Sequence, residues 1–322
     1  MGEKSMAVKR MLPKRKSGSG GVIIAFVVLF VLLSVFTDNF LKTNNLILLM
    51  KQAVSTAILA YGMSFCLITG ELDLSLGATV AISGVGAALM MRAGVSFWVA
   101  FLIMFIVCLL IGAANGFIVA NSPIPSFIVT LAMSKVIRGG AYIISGGLPV
   151  STVDAEFYGF ANNMLFGFLP NSVIWMLILM VVLSVLLKRT IFGRHMLATG
   201  GNQETAVYSG INVKKIKVIV YMISAAMACI AGMLVASRVT QGSPAFGEGY
   251  ETNAVAAAVL GGVSFTGGRG SIVGCFLGAM LLALITNGLY MLNVSFYLQM
   301  VIEGLLILGS VYFDMSRRAK EG

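Results

Sequence analysis

Four acidic residues interrupt stretches that are otherwise apolar, and their type and spacing make them the best candidates for chemistry. They are Glu71, Asp73, Glu251 and Glu303. A carboxylate surrounded by apolar sequence is costly unless it is protonated, paired or in contact with water. These acids could therefore be acid–base groups of a membrane-embedded enzyme, proton relays of a secondary transporter, or parts of a solute path.

The other residue types argue against catalysis by this chain. The sequence has one histidine, His195, and four cysteines, each inside an apolar run, which favours core packing over disulfides or metal ligation. It contains no nucleophile–base pair, no metal-ligand set and no Gly-Lys-Ser/Thr phosphate loop. We therefore expect no enzyme activity, no metal and no cofactor bound by the chain itself.

The composition indicates which elements must hold the acids. Of 322 residues, 58% are apolar and 11% are charged, against about 25% charged in a typical soluble domain. Uncharged runs reach 42 residues, at 93–134, whereas one membrane-spanning helix needs about 20. The runs are continuous and do not alternate as barrel strands do. The sequence predicts an all-α, polytopic transmembrane helical bundle with broken or re-entrant segments.

The charges divide the chain into a basic tail over 1–20, a single transmembrane domain over 21–314 and a second tail over 315–322. Ten spans are predicted, with both termini in the cytoplasm. This orientation puts 16 basic residues inside and four outside, as the positive-inside rule requires. The net charge of +10 therefore lies mainly in tails and loops, and we expect no nucleic-acid partner. The predicted spans are 21–37, 46–69, 74–91, 95–120, 124–145, 171–187, 217–237, 252–265, 271–292 and 296–313.

The first break in the apolar pattern is the segment 69–77, which contains Glu71 and Asp73 between glycines. It is either a tight cytoplasmic turn or a broken segment beside a water-filled path, because lipid does not tolerate irregular backbone. The third break spans 247–270, where a short apolar stretch between two Gly-rich segments predicts a half-helix.

The second break begins at Pro123 and Pro125, which prevent a regular helix, and continues to two cations within a span. Lys135 could extend to the membrane interface, but Arg138 lies deeper, where a cation usually faces a cavity or a carboxylate. Elsewhere, the pairs Gly112/Gly116 and Gly274/Gly278 predict close helix contacts.

The only sizeable cytoplasmic loop, 188–217, is predicted to contain a short helix over 203–209. Asn202 is a suitable N-cap, Glu204 suits the positive end of the helix dipole, and Gly210 suits the left-handed position after the helix. The helix has no basic residue with which to bind lipid headgroups. We therefore interpret it as a helix that docks into another protein.

Together these residues resemble the permease subunits of bacterial ABC importers for monosaccharides, the ribose, xylose, arabinose and galactose group, and most of all the ribose permeases. The resemblance runs from about residue 21 to 313 in matching order. The segments that carry it are ITGELDLSLG (68–77), PSFIVTL (125–131), RG (138–139), GGN (200–202), SGINV (209–213), GYE (249–251), AAAVLGG (256–262) and GGRG (267–270).

The resemblance implies a subunit that moves a small sugar across the bacterial inner membrane by alternating access. The implied partners are a cytoplasmic ABC ATPase that uses ATP and Mg, an extracytoplasmic sugar-binding protein and membrane lipid. A second permease subunit is also implied, in a homodimer or a pseudo-symmetric pair. Autoinducer-2, inositol and nucleoside permeases are near relatives, so these solutes stay open as alternatives to ribose. A proton-coupled secondary transporter stays open as a different mechanism.

Two sets of candidate residues follow. The ATPase-coupling set is Gly200, Gly201, Asn202, Glu204, Ser209, Gly210 and Ile211, and replacing Gly201, Glu204 or Gly210 is expected to uncouple transport. The set expected to border the translocation path or its gate is Asp73, Ser75, Pro125, Phe127, Thr130, Arg138, Glu251 and Asn253.

Glu303 departs from the family pattern, as does Glu71. We expect Glu303 to be in a structural pair or to face the membrane interface, and a place along the path is the alternative.

Overall fold

The computed structural model describes residues 19–319, so most of the tail predicted over 1–20 lies outside the described part. Four two-residue strands form two antiparallel ribbons, β1 Val150–Ser151 with β4 Gln241–Gly242 and β2 Met164–Leu165 with β3 Leu169–Pro170. The helices are α1 Ser19–Phe36, α2 Thr43–Ile68, α3 Leu76–Arg92, α4 Phe97–Asn121, α5 Ser126–Ser145, α6 Ala155–Asn162, α7 Asn171–Arg189, α8 Ile191–Gly201, α9 Gln203–Tyr208, α10 Val213–Val239, α11 Tyr250–Leu260, α12 Ile272–Met291 and α13 Phe296–Ala319.

The prediction of a polytopic helical membrane protein is confirmed. Within residues 19–319, six helices are long and apolar enough to cross a membrane: α2, α4, α5, α7, α10 and α12. The apolar parts of α1, α3 and α13 are shorter, so the count of ten spans stays a prediction. The half-helix expected in the third break is α11, whose 11 residues rise only about 16 Å.

The bundle is built around α10 and α2, which pack against each other and bury most of their length. Both are rich in small residues on their buried faces, which lets the neighbouring helices approach closely. The predicted glycine contacts are confirmed. A methyl group at Gly112 or Gly116 of α4 would overlap α10, and one at Gly274 or Gly278 of α12 would overlap α11.

Two short helical regions lie at opposite ends of α10. At its C-terminal end, Ser237 Oγ accepts a hydrogen bond of 3.0 Å from the backbone N–H of Ala161 in α6. At its N-terminal end are α8 and α9. The helix α8 was not predicted separately; it begins where Thr190 Oγ1 caps the N–H of Gly193 at 3.1 Å.

Candidate functional site: a broken segment and its coupling helix

Asp73 lies in the irregular segment between α2 and α3, and its side chain is buried, with 1% of its surface exposed. Three donors satisfy its carboxylate. Ser75 donates its N–H at 3.0 Å and its hydroxyl at 2.6 Å to Oδ1, and Ser224 of α10 donates its hydroxyl at 2.7 Å to Oδ2. Asn115 of α4 donates to Ser75 Oγ at 2.9 Å and extends the network. Asp73 is therefore held by hydrogen bonds and does not face water in this conformation.

The backbone of the break is held by side chains from two other helices. Ser126 Oγ accepts from the N–H of Leu72 at 3.1 Å, and Thr130 Oγ1 accepts from the N–H of Leu74 at 3.1 Å. Tyr221 of α10 donates its hydroxyl to the carbonyl of Leu72 at 2.9 Å. These bonds replace the helical partners that an extended backbone lacks, which is the condition for irregular structure inside a membrane protein.

The break is buried at Asp73 and Ser75 and exposed at Gly70, so both alternatives left by the sequence stay predictions. Pro125 lies just before α5, and its φ and ψ of −54° and 137° are those of the non-helical residue at which that helix begins. Phe127 does not join the network; its side chain is 46% exposed on the outer face of α5.

Arg138 holds a second irregular segment, the loop 243–249 before α11. Its Nη1 donates to the carbonyls of Pro244 and Phe246, both at 2.7 Å. The side chain therefore turns into the protein, whereas that of Lys135 is exposed. This loop and the carboxylate of Glu251 pack directly over Gly77, where any Cβ would overlap both.

The predicted short helix in the cytoplasmic loop is confirmed as α9. Asn202 Oδ1 accepts from the N–H of Thr205 at 2.8 Å, as the N-cap prediction requires. After the helix, Gly210 has φ of 80° and the N–H of Ile211 donates to the carbonyl of Ala206 at 3.0 Å. Ser209 also closes the last turn, since its hydroxyl donates to the carbonyl of Thr205 at 2.9 Å.

The exposed side of α9 is partly apolar, a feature that sequence reasoning missed. Glu204 is exposed, and next to it Val207 and Tyr208 are 54% and 91% exposed. A large aromatic side chain left open at the end of a helix bundle is typical of a protein contact.

The segment before α9 packs against the first and third breaks through backbone alone. The N–H of Gly268 donates to the carbonyl of Ile68 at 2.8 Å, and Gly200 lies against that same carbonyl. A methyl group at Gly200 would overlap the Ile68 oxygen, whereas one at Gly201 would meet nothing within 4 Å. We call the contact among Ile68, Gly200 and Gly268 the glycine contact.

The predicted path residues thus form separate groups. Asp73, Ser75 and Thr130 lie together in the break, and Arg138 and Glu251 lie along the loop 243–249. Asn253 lies apart, on the wall of a cavity that also contains Glu303. Sequence reasoning missed Ser224, the partner of Asp73, and Lys217, the partner of Glu71, because both are distant in the sequence. It also missed Tyr221, which holds the backbone of the break.

Comparison with known proteins identifies the family. The family described as "Branched-chain amino acid transport system / permease component" matches residues 45–311. Ribose import permease protein RbsC of Bacillus subtilis is 36% identical over 301 residues, 93% of this chain and 93% of that protein. The L-arabinose transport system permease protein AraH of Escherichia coli is 37% identical over 294 residues, 91% of this chain and 89% of that protein.

Ribose import permease protein RbsC of Escherichia coli is 37% identical over 305 residues, 92% of this chain and 93% of that protein. These relatives are transport permeases and not enzymes, and the predicted resemblance to monosaccharide permeases is confirmed. The chain therefore belongs to the branched-chain amino acid transport system / permease component family, in which it is similar to the ribose and arabinose permeases.

Proposed function

We propose that this chain is the permease subunit of an ABC importer that moves ribose, arabinose or a related monosaccharide across the bacterial inner membrane. The observation that carries the proposal is the glycine contact, which joins the segment before α9 to both Ile68 and Gly268. The choice of a monosaccharide as the substrate is supported by the similar proteins, which are ribose and arabinose permeases.

The ATPase would bind to α9. Its capped ends make it a short rigid body, and its exposed face offers Val207, Tyr208 and the acid Glu204. Because Gly200 leaves no space between its backbone and the Ile68 carbonyl, a displacement of α9 would be passed directly to the end of α2. ATP and Mg act in the partner subunit, and this chain contributes the moving path.

The displacement would reach the path through the break. Ile68 is five positions before Asp73, and the hydrogen bonds of Asp73 join the break to α3 and α10. The loop 243–249, held by Arg138, would move with α3 because it packs over Gly77. Alternating access would then consist of a relative movement of these helices, in a homodimer that receives sugar from an extracytoplasmic binding protein.

The docking role of α9 is tested with the assembled transporter. Glu204→Lys and Tyr208→Asp are expected to reduce co-purification of the ATPase and uptake of labelled D-ribose, with normal insertion of the permease. Glu156→Lys is the matched control, because Glu156 is an exposed acid of α6, outside both α9 and the loop 243–249. Full complex formation and uptake by both α9 variants would contradict this role.

The energy source distinguishes the ABC importer from a proton-coupled secondary transporter. Vesicles that contain the permease, its ATPase and its binding protein should take up D-ribose or L-arabinose only with ATP. Uptake by the permease alone under a proton gradient would favour the secondary transporter. Autoinducer-2, inositol and nucleosides are the alternative solutes if neither sugar is transported.

A further inference from the structure

A cavity of about 220 Å³, lined by both polar and apolar side chains, lies among α2, α10, α11, α12 and α13, apart from the network around Asp73. Its volume is many times the space that one water molecule needs. It is also below the range of about 300–1,000 Å³ typical of sites for drug-sized ligands. The cavity therefore suits a small solute.

The cavity lies near the middle of the helices α2 and α12 that line it. Glu303 is the eighth residue of α13, about 10 Å along the helix from its start, and Gln52 is the tenth residue of α2, about 14 Å from its start. Asn45 and Asn287 exchange hydrogen bonds of 3.2 and 3.0 Å between the start of α2 and the end of α12, so these helix ends lie together. Because Gly200 contacts Ile68 at the other end of α2, the cavity lies slightly nearer the end of the bundle opposite to α9.

Its polar groups are only partly satisfied by the protein. Glu303 Oε1 accepts one hydrogen bond, from Thr286 at 3.2 Å, and the buried Oε1 of Gln52 has no partner among residues 19–319. Within that described part, neither Glu303 nor Arg238 forms an ion pair, although both line the cavity. A buried polar atom normally has a partner, so the Gln52 oxygen is available to a ligand, as is the half-buried carboxylate of Glu303 beside it.

The chemistry of the wall selects the ligand class. The carboxylate and amide oxygens of the wall can accept hydrogen bonds from the hydroxyl groups of a ligand. The N–H groups of Asn253 and Arg238 can donate hydrogen bonds to its hydroxyl oxygens. Tyr250 contributes an aromatic side chain, which can cover the apolar face of a sugar ring. One acid and one base on the wall favour a neutral ligand over a strongly charged one.

We propose that this cavity is a transient binding site for a neutral polyhydroxylated solute, with Glu303 and Gln52 as the principal acceptors. The proposal rests on the proposed function and adds the residues that contact the sugar before the inward movement. Binding must be weak, because a solute that is to be released cannot be held tightly at an intermediate site. Glu303, expected from the sequence to be structural or at the interface, is thereby assigned to the path.

The first test is uptake of D-ribose and L-arabinose by the assembled transporter at limiting sugar. Glu303→Gln should lower the initial rate of uptake by about tenfold or more, because a hydrogen bond from the sugar to a charged acceptor is lost. Glu156→Gln makes the same chemical change at an exposed acid of α6, outside both the cavity and the loop 243–249, and should leave the rate within about twofold. A rate for Glu303→Gln within that same range, at equal amounts in the membrane, would overturn the proposal.

The second test does not depend on turnover. In a background without the four native cysteines, Ser55→Cys should react with a small water-soluble thiol reagent, because Ser55 lines the cavity. Excess D-ribose or L-arabinose should slow the reaction, and sucrose, being too large, should not. Sugar-independent labelling in a transporter that imports the same sugar would overturn the proposal. Failure of the wild-type transporter to import either sugar would instead contradict the proposed function.

Discussion

Lys217 Nζ lies 2.6 Å from Glu71 Oε1, and this ion pair joins the start of α10 to the end of α2. Each of the two side chains is only 12% exposed. Two positions further along the chain, Asp73 has no cationic partner among residues 19–319 and is satisfied by hydroxyl and backbone N–H donors. The two acids of the first break therefore have different partners, and only one of them uses a charge pair.

The ion pair leads to the first prediction. Lys217→Met and Glu71→Gln should each destabilise the permease, because each leaves a partly buried charge without its partner. The expected cost is about 1–3 kcal/mol, between the values for exposed and fully buried pairs. The measurement is the thermal unfolding midpoint of the purified protein in detergent.

A neighbouring lysine provides the control for this prediction. Lys215 is exposed in the first turn of α10, so Lys215→Met should leave the midpoint unchanged. The double variant Glu71→Lys/Lys217→Glu should recover part of the lost stability. Equal midpoints for Lys217→Met and Lys215→Met would show that the pair does not contribute.

The sequence predicted the features that depend on local chemistry. The caps of α9 were predictable because Asn202 and Gly210 act on backbone within a few residues. The half-helix α11 was predictable because Gly-rich segments bound a short apolar stretch. The Gly112/Gly116 contact was predictable because its spacing places both residues on one face of α4.

The features that sequence reasoning missed depend on tertiary contacts. Nothing near Glu71 in the sequence indicates Lys217, and a lone serine such as Ser224 in an apolar helix looks like any small core residue. The contact of Gly200 with the Ile68 carbonyl joins two segments that the sequence separates widely. Such pairs require the arrangement of helices to be known first.

The second prediction compares two adjacent glycines. Gly200→Ala should lower the unfolding midpoint and uptake, because its methyl group would overlap the Ile68 carbonyl oxygen. Gly201→Ala should leave the midpoint unchanged, since its methyl group meets nothing within 4 Å. Any effect of Gly201 substitutions should therefore concern ATPase binding alone. Similar losses of stability in both variants would contradict the role of the glycine contact.

The third prediction concerns the cation that holds the loop 243–249. Arg138→Gln should lower sugar uptake by about tenfold or more, because two hydrogen bonds from a charged donor to carbonyls are lost. Arg138→Lys should retain more uptake than Arg138→Gln but less than the wild type, since an ammonium group does not reproduce the planar guanidinium. Lys135→Gln, at an exposed lysine of the same helix, is the control. Normal uptake by Arg138→Gln would exclude a role for this residue in transport.

The fourth prediction concerns Asp73. Asp73→Ala should destabilise the permease by about 3 kcal/mol or more, because Ser75 and Ser224 lose their acceptor in a buried site. Asp73→Asn should be milder, since its amide oxygen can still accept from Ser75 and a serine hydroxyl can accept from its NH2 group. Unfolding midpoints should therefore decrease from wild type to the Asn variant to the Ala variant.

Thiol labelling then separates a purely structural Asp73 from one that also borders the gate. In a background without the native cysteines, Asp73→Cys should be unreactive in the conformation described, where the side chain is buried. If the break opens during transport, a water-soluble thiol reagent should reach this position in one nucleotide state of the ATPase and not in the others. Glu156→Cys, exposed in α6 outside the loop 243–249, should react in every state and provides the control. Protection of position 73 in all nucleotide states would limit Asp73 to holding α3 and α10 together.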